Sequence, residues 1–115
     1  MTEIKATHLS TAIFKDTPHK VDVRQMYSQP DAQAMHITLQ PGESLKPHKT
    51  PVDVFFYILE GAPTVHIGDN STVFTKDTLV ESPKEILHYL SNSSNEIARI
   101  LVVKTPNPQS ATRVL

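Results

Sequence analysis

The sequence contains no cysteine. This absence excludes disulfides, zinc fingers, other thiolate metal sites and cysteine nucleophiles. A chain without disulfides is compatible with a reducing compartment, and we expect a cytoplasmic protein.

The sequence also lacks an excess of charge of either sign. It has 11 lysines and arginines against 12 aspartates and glutamates, a formal net charge of −1. Without a basic excess or a basic run, we expect no nucleic-acid partner. No stretch approaches the ~20 apolar residues that span a bilayer, and the first 20 residues have no uninterrupted apolar region of the kind found in signal peptides. We therefore expect no membrane partner.

Long helical patterns are missing as well. The chain has 9 prolines and only 3 glycines, and apolar residues do not recur at helical spacing over a dozen positions. Short β-branched and aromatic runs between turn residues occur instead, which predicts an all-β sandwich or barrel. We expect one domain, with an irregular segment over 1–20 (an edge strand near Thr11–Phe14 included), a barrel over 21–105 and a polar tail over 106–115.

One predicted strand, Val52–Leu59, is apolar on both faces. Val52, Val54, Phe56 and Ile58 share one face, and Phe55, Tyr57 and Leu59 share the other. A strand of this kind must be covered on both sides. The barrel interior would cover one face. A second copy of the chain is a plausible cover for the other, so we expect a homodimer.

Two spaced motifs surround this strand. Gly42, His48 and Gly61 fit the pattern G-x5-H-x-H-x3-E-x6-G, and Pro83, His88 and Asn92 fit the pattern G-x5-P-x-G-x2-H-x3-N. These motifs resemble those of the cupin superfamily, specifically its small single-domain microbial members, over about residues 35–105. The resemblance implies a double-stranded β-helix, the jelly-roll barrel of cupins.

The same motifs depart from the family at functional positions. Family members that bind a metal use two histidines and a glutamate from the first motif and a histidine from the second. Here Thr50 stands at the second histidine position and Val54 at the glutamate position, so the resemblance leaves His48 and His88 as metal ligands and catalytic residues, with Thr50 and Val54 lining the same pocket. Asp77 and Glu85 replace the two glycines of the second motif.

Two histidines alone would bind a divalent metal weakly, because such sites normally use about three protein ligands. Asp53 and His66 are the candidates for completing the site. The alternation of a regular strand points Asp53 away from His48, and a bulge at Pro51 would be needed to turn it inward. His36 is a weaker candidate on a polar strand face, and His8 and His19 carry no recognisable pattern.

Three functions remain open on these observations. The first is a metal-dependent enzyme of dioxygenase, isomerase or lyase type, using zinc, nickel, iron, manganese or copper held by His48 and His88. The second is a metal-free enzyme or small-molecule binder, in which His48 or His88 is a general base or a hydrogen-bonding group. The third is a dimerising cupin without catalytic activity.

Overall fold

A computed structural model describes residues 3–108 and the backbone of residues 113 and 114. Within those ranges the chain forms eleven strands, one short 3-10 helix at Leu9–Thr11 and no α-helix. The strands are β1 (Ile13–Phe14), β2 (Asp22–Gln29), β3 (Ala32–Leu39), β4 (His48–Lys49), β5 (Asp53–Glu60), β6 (Thr64–Ile67), β7 (Asn70–Val73), β8 (Leu79–Ser82), β9 (His88–Ser91), β10 (Ala98–Thr105) and β11 (Arg113–Val114). The predicted all-β class is confirmed.

The strands form two sheets with antiparallel pairing throughout. The larger sheet has the order β1-β2-β3-β10-β5-β8, and the smaller has the order β11-β4-β9-β6-β7. The pairing of β10 with β3 on one side and β5 on the other joins residues far apart in sequence. The two sheets enclose one apolar interior, as in a jelly roll.

The alternation of the strands determines which residues enter that interior. On β5, Val54, Phe56 and Ile58 are buried, whereas their neighbours on the other face are partly exposed. On β10, Ala98, Ile100 and Val102 are buried in the same way. Side chains of consecutive strand residues point to opposite faces, so the interior receives every second residue.

The interior is solid at one end and hollow at the other. Leu39, Ile58, Leu90, Ala98 and Ile100 each have 0% of their surface exposed and pack together at the solid end. A cavity lies at the other end of the same strands. Its wall begins at the next inward-facing residue of each strand, two positions from the packed one. The strands β3, β5 and β10 therefore each contribute both to the packed core and to the cavity wall.

Turn backbone keeps the geometry that the cupin motifs require. Asp77 and Glu85 both have positive φ, 68° and 63°, at the positions where the family pattern has glycine. Gly61 has φ 82°, and a β-carbon there would collide with the carbonyl oxygen of Ile97 and lie 2.9 Å from the Ala98 α-carbon. The backbone at these two positions therefore keeps the positive φ that glycine favours, although the residues are not glycine.

Each terminal segment outside residues 21–105 contains a short strand. β1 (Ile13–Phe14) pairs with β2, and residues 15–20 continue toward the cavity. Arg113 and Val114, placed in the expected polar tail, pair with β4 at Lys49 and His48. Both ends of the chain thus add strands to the sheets, because edge strands offer unpaired backbone groups to any extended segment nearby. Residues 1, 2, 109–112 and 115 of the predicted terminal segments lie outside the described residues.

In the described part of the chain, no helix has the length and the apolar character needed to cross a membrane.

Candidate functional site

The cavity at the hollow end has a volume of about 350 Å³. Its wall is mainly apolar, with side chains from β2, β3, β5 and β10 and from the loop before β4: Val23, Met35, Ile37, Leu45, Val54, Phe56 and Val102. The polar residues on it are Thr17, His19, His48, Thr50, His88 and Lys104. A concave, mostly apolar space with a few converging polar groups is the usual form of a small-molecule site.

His48 and His88 meet inside this cavity. They are direct partners across the pairing of β4 with β9, so their side chains leave the small sheet on the same side. Their ring centroids lie 4.6 Å apart in an edge-to-face arrangement, and both residues are buried. The structure therefore brings together the two histidines that the motifs identified.

His48 is oriented by the backbone of Lys46. Its Nδ1 lies 2.7 Å from the Lys46 carbonyl oxygen, which can only accept a hydrogen bond, so Nδ1 carries the proton of the neutral ring. Nε2 then has a free lone pair, and it has no hydrogen-bond partner among the described residues. Burial lowers the pKa of His48, the hydrogen bond to Lys46 opposes that shift, and the charge of Lys104 adds to it. His48 is thus a neutral acceptor facing the cavity.

His88 has both ring nitrogens engaged by hydroxyl groups. Nε2 lies 3.1 Å from Thr50 Oγ1, and Nδ1 lies 2.6 Å from Ser82 Oγ. Burial, followed by the proximity of His48 and Lys104, lowers its pKa to about 3, so the ring is neutral at pH 7. One nitrogen donates and the other accepts, and neither is left for a ligand.

A third histidine, His19, lies against the pair. Its ring centroid is 4.9 Å from that of His48, and it lines the cavity together with Thr17 and Pro18. Nδ1 accepts a hydrogen bond of 2.8 Å from the Lys46 backbone N–H, so the proton of the neutral ring is on Nε2. Burial, with smaller effects of His48, Lys104 and Lys46, lowers its pKa to about 4.

Lys104 brings a cationic group to the same space. It follows Ala98, Ile100 and Val102 on the inward face of β10 and lines the cavity. Burial lowers the pKa of its ammonium group. Lys104 in turn lowers the pKa of His19, His48 and His88.

Asp53 and His66, the candidates for completing a metal site, lie elsewhere. The Asp53 carboxylate accepts a hydrogen bond of 2.9 Å from the Lys84 backbone and is exposed outside the cavity, as the strand alternation indicated. His66 stacks on Tyr89 with ring centroids 3.9 Å apart and its Nε2 lies 2.8 Å from Ser91 Oγ. Neither residue lines the space around His48.

His36 is placed outside the cavity as well. The sequence placed His36 on a polar strand face, and the residue is only 3% exposed. Its Nε2 accepts a hydrogen bond of 3.0 Å from Arg99, which also pairs with Glu60. These residues lie on the outer face of the larger sheet. The prediction of a polar face was correct, but it missed the burial by neighbouring long side chains.

Asn92, the last position of the second motif, has a structural role. Its amide nitrogen donates to the carbonyl oxygens of Leu39 and Glu96, and its oxygen accepts from the Ser94 backbone and hydroxyl. A buried asparagine with its amide groups satisfied closes the loop between β9 and β10.

A divalent metal does not fit the side chains that the cavity presents. His88 has no free nitrogen, and the bare nitrogen of His19 accepts a backbone N–H, which leaves one uncommitted imidazole nitrogen, on His48. Over the ranges 3–108 and 113–114, no group of three or more histidines, aspartates or glutamates is arranged to hold a metal ion.

Sequence reasoning missed two of the cavity residues. His19 showed no recognisable pattern in the sequence, because its contact with Lys46 joins residues 27 positions apart that no local pattern connects. Lys104 could have been found, since it continues the alternation of Ala98, Ile100 and Val102. A charged residue in phase with buried apolar neighbours is a sequence indication of a cavity wall.

The sequence profile of a known family matches most of the barrel. The profile, described as a cupin domain (Cupin_2), covers residues 35–104. The chain belongs to the cupin family. No curated protein sequence matches this cupin.

Solved structures agree with that assignment. TT1209 from Thermus thermophilus is 24% identical, with a TM-score of 0.78 over 91% of this chain and 100% of that one. An RmlC-like cupin from Methanocaldococcus jannaschii is 23% identical, with a TM-score of 0.76 over 94% and 96%. The polyketide cyclase RemF from Streptomyces resistomycificus is 15% identical, with a TM-score of 0.83 over 98% and 86%. At these identities the similarity establishes the double-stranded β-helix fold.

Proposed function

We propose that this cupin binds a small organic molecule in the cavity without a metal, and that His48 Nε2 accepts a proton or a hydrogen bond from it. The observation that carries the proposal is the free lone pair of His48 in a largely apolar space of about 350 Å³. This combination supports the second of the three functions considered from the sequence, because it offers one base and one ligand-sized space.

The neutral state of His48 supports a role in proton transfer. A general base must be unprotonated at the working pH, and burial together with Lys104 favours the neutral ring. The hydrogen bond to Lys46 fixes the tautomer, in the way that an orienting partner does for other catalytic histidines. The ring of His88 packs edge-to-face against that of His48 and is itself held by hydrogen bonds with Thr50 and Ser82. We propose that His88 positions His48 and does not react.

The apolar wall supports a ligand with a hydrocarbon body. The aliphatic side chains and Phe56 form the larger part of the surface, and the imidazoles of His19, His48 and His88 lie beside one another in it. Burial of apolar ligand surface would contribute about 25 cal/mol per Å². The polar head of the ligand would then contact the imidazoles, and the body would replace water against Met35, Ile37 and Val102.

The test combines a metal analysis with a ligand screen. Elemental mass spectrometry of untagged protein should show no near-stoichiometric metal. A thermal-shift screen of small organic acids and carbonyl compounds in excess EDTA should give binders of the parent that bind His48→Asn at least 10-fold more weakly. His66→Gln, on the outer surface, is the matched control and should bind as the parent does. Stoichiometric metal that is lost in His48→Ala would overturn the proposal.

We also propose that two copies associate through the outer face of the larger sheet, in the cytoplasm. The support is a contiguous apolar area, in which the register places Tyr57 between Leu101 and Leu79, and Phe55 beside Val103. Leu79 is 49% exposed in the single chain. Light scattering should give twice the chain mass at micromolar concentration, and Leu101→Lys should give the monomer. A monomeric parent would refute the association.

A further inference from the structure

The backbone of a single residue fixes two cavity histidines in opposite tautomers. The N–H of Lys46 donates to His19 Nδ1 over 2.8 Å, and the carbonyl oxygen of Lys46 accepts from His48 Nδ1 over 2.7 Å. A backbone N–H can only donate and a carbonyl oxygen can only accept, so neither ring can reverse its tautomer without losing its hydrogen bond. His19 therefore presents Nε2–H, a donor, and His48 presents bare Nε2, an acceptor.

The two imidazoles are close enough to contact neighbouring atoms of one molecule. Their ring centroids lie 4.9 Å apart, the rings are tilted by 52°, and both line the same cavity. The pairing is specific to His19 and His48, because His88 has both nitrogens engaged by Thr50 and Ser82. A ligand at this position meets a hydrogen-bond donor and a base side by side.

We propose that His19 and His48 form a donor–acceptor pair that recognises an enolisable carbonyl compound, with His19 contacting the carbonyl oxygen and His48 the acidic hydrogen beside it. This inference rests on the proposed metal-free site and names the class of compound that the site takes. It assigns a functional residue, His19, that lies outside both cupin motifs. The enol form of a 1,3-dicarbonyl compound, with its O–H beside the second C=O, is complementary to the same pair.

The pair supports one balanced proton transfer. His48 Nε2 takes a proton from the carbon next to the carbonyl group, the C–H electron pair becomes the carbon–carbon double bond, and the carbonyl oxygen becomes an enolate oxygen. The Nε2–H of His19 donates a hydrogen bond to that oxygen and keeps its proton, which is how a neutral imidazole acts as an electrophile. The imidazolium of His48 then returns the proton to the enolate, on carbon or on oxygen. No oxidant or reductant is needed.

The first part of the test reads the tautomers directly. Long-range proton–nitrogen correlation spectra of uniformly ¹⁵N-labelled full-length protein at pH 7 distinguish an Nδ1–H ring from an Nε2–H ring. We expect Nε2–H for His19 and Nδ1–H for His48. The signals are assigned from His19→Asn and His48→Asn, in which the amide reproduces the Nδ1 contact with Lys46 and lacks the outer nitrogen. The same tautomer in both rings would overturn the proposal.

The second part measures binding of a defined probe in excess EDTA. Pentane-2,4-dione forms a stable enol, and 3,3-dimethylpentane-2,4-dione cannot. The parent and the surface control His66→Gln should bind the first at least 10-fold more tightly than the second, by titration of the cavity methyl resonances. That preference should disappear in His19→Asn and in His48→Asn. Failure of the enolic dione to bind the parent, or equal binding of both diones, would refute the ligand class.

The two proposals fail in different ways. If the preference is lost in His48→Asn and kept in His19→Asn, the role of His19 is wrong and the metal-free site around His48 stands. If neither variant changes the binding of any cavity ligand, the proposed function itself is wrong.

Discussion

Thr50 Oγ1 lies 3.1 Å from His88 Nε2, at the motif position where metal-binding cupins have a second histidine. The substitution therefore does more than remove a ligand. It supplies a hydroxyl that forms a hydrogen bond with Nε2 of His88, while the hydroxyl of Ser82 forms one with Nδ1. The histidine of the second motif, His88, is therefore a neutral ring with both nitrogens hydrogen-bonded, and it packs edge-to-face against His48.

Removing that hydroxyl should destabilise the fold. Thr50→Val keeps the shape and leaves His88 Nε2 buried without its partner, which should cost about 1–3 kcal/mol of the free energy of unfolding. Urea denaturation provides the measurement. Thr72→Val, on the exposed strand β7, is the control and should change stability little. Equal effects of the two substitutions would mean that the Thr50 contact contributes nothing.

Restoring the family's ligand set should create a metal site. The double variant Thr50→His, Val54→Glu frees His88 and adds two ligands to His48, giving four groups at the motif positions. We expect near-stoichiometric zinc, nickel or manganese by elemental analysis and a rise in melting temperature on adding the metal, because a ligand that binds only the folded state stabilises it. Metal retention equal to that of the parent would show that the cavity geometry cannot support such a site.

Stability should fall as the pH is lowered below the ordinary histidine range. The pKa of His88 is lowered to about 3 by burial, then by His48 and Lys104, against about 6.5 in the unfolded chain. Between these values the unfolded state binds a proton and the folded state does not, so the free energy of unfolding decreases as pH falls, by up to about 1.4 kcal/mol per unit from this ring.

Urea denaturation between pH 7 and pH 4.5 tests this dependence. His88→Gln removes the titrating group, and its slope against pH should be smaller than that of the parent. Identical slopes would contradict the lowered pKa of His88 in the folded state.

The two motif glycines of the first sequence pattern should respond differently to alanine. Gly42 has φ 87°, and a β-carbon added there would meet nothing within 4 Å, so Gly42→Ala should cost only the left-handed strain, roughly 1–2 kcal/mol. Gly61→Ala adds a collision with the Ile97 and Ala98 backbone and should cost at least about 2 kcal/mol more. Denaturant titrations of the pair measure the difference, and similar costs would mean that the β5–β10 contact can relax.

Asp77→Gly should stabilise the protein. Asp77 has φ 68°, a conformation that costs a residue with a β-carbon roughly 1–2 kcal/mol, partly offset by the flexibility of glycine in the unfolded chain. We expect a net gain of about 0.5–1 kcal/mol and a melting temperature a few degrees higher. Asp77→Ala loses the same contact with Tyr57 and keeps the β-carbon, so it should give no gain. A gain in stability in both variants would mean that loss of the Asp77 carboxylate, and not relief of the backbone strain, stabilises the protein.

Local patterns predicted the parts of this protein that depend on neighbours in sequence. Alternation located β5 and β10 and placed Val54 and Asp53 on opposite faces, and motif spacing brought His48 and His88 together. The position of His19 depended on a single contact with Lys46 after the chain has folded back, which alternation cannot describe.

The sequence also could not predict the burial of residues on the outer face of the larger sheet or the positive φ angles in the turns. His36 is covered by long side chains of the same sheet, including Arg99, whose reach is not visible in a hydropathy pattern. Asp77 and Glu85 adopt positive φ because the surrounding turns require it, and residue type alone would have indicated otherwise.

The strands β3, β5 and β10 each have a packed half and a cavity half, and substitutions in the two halves have different consequences in evolution. Substitutions at Ala98, Ile100 or Ile58 disturb the half that holds the sheets together, whereas Met35, Val102 and Lys104 border empty space on the same strands. New ligand preferences can therefore arise by changing a few residues at one end, while the other end keeps the barrel folded. A scaffold of this size can diversify in chemistry without being rebuilt.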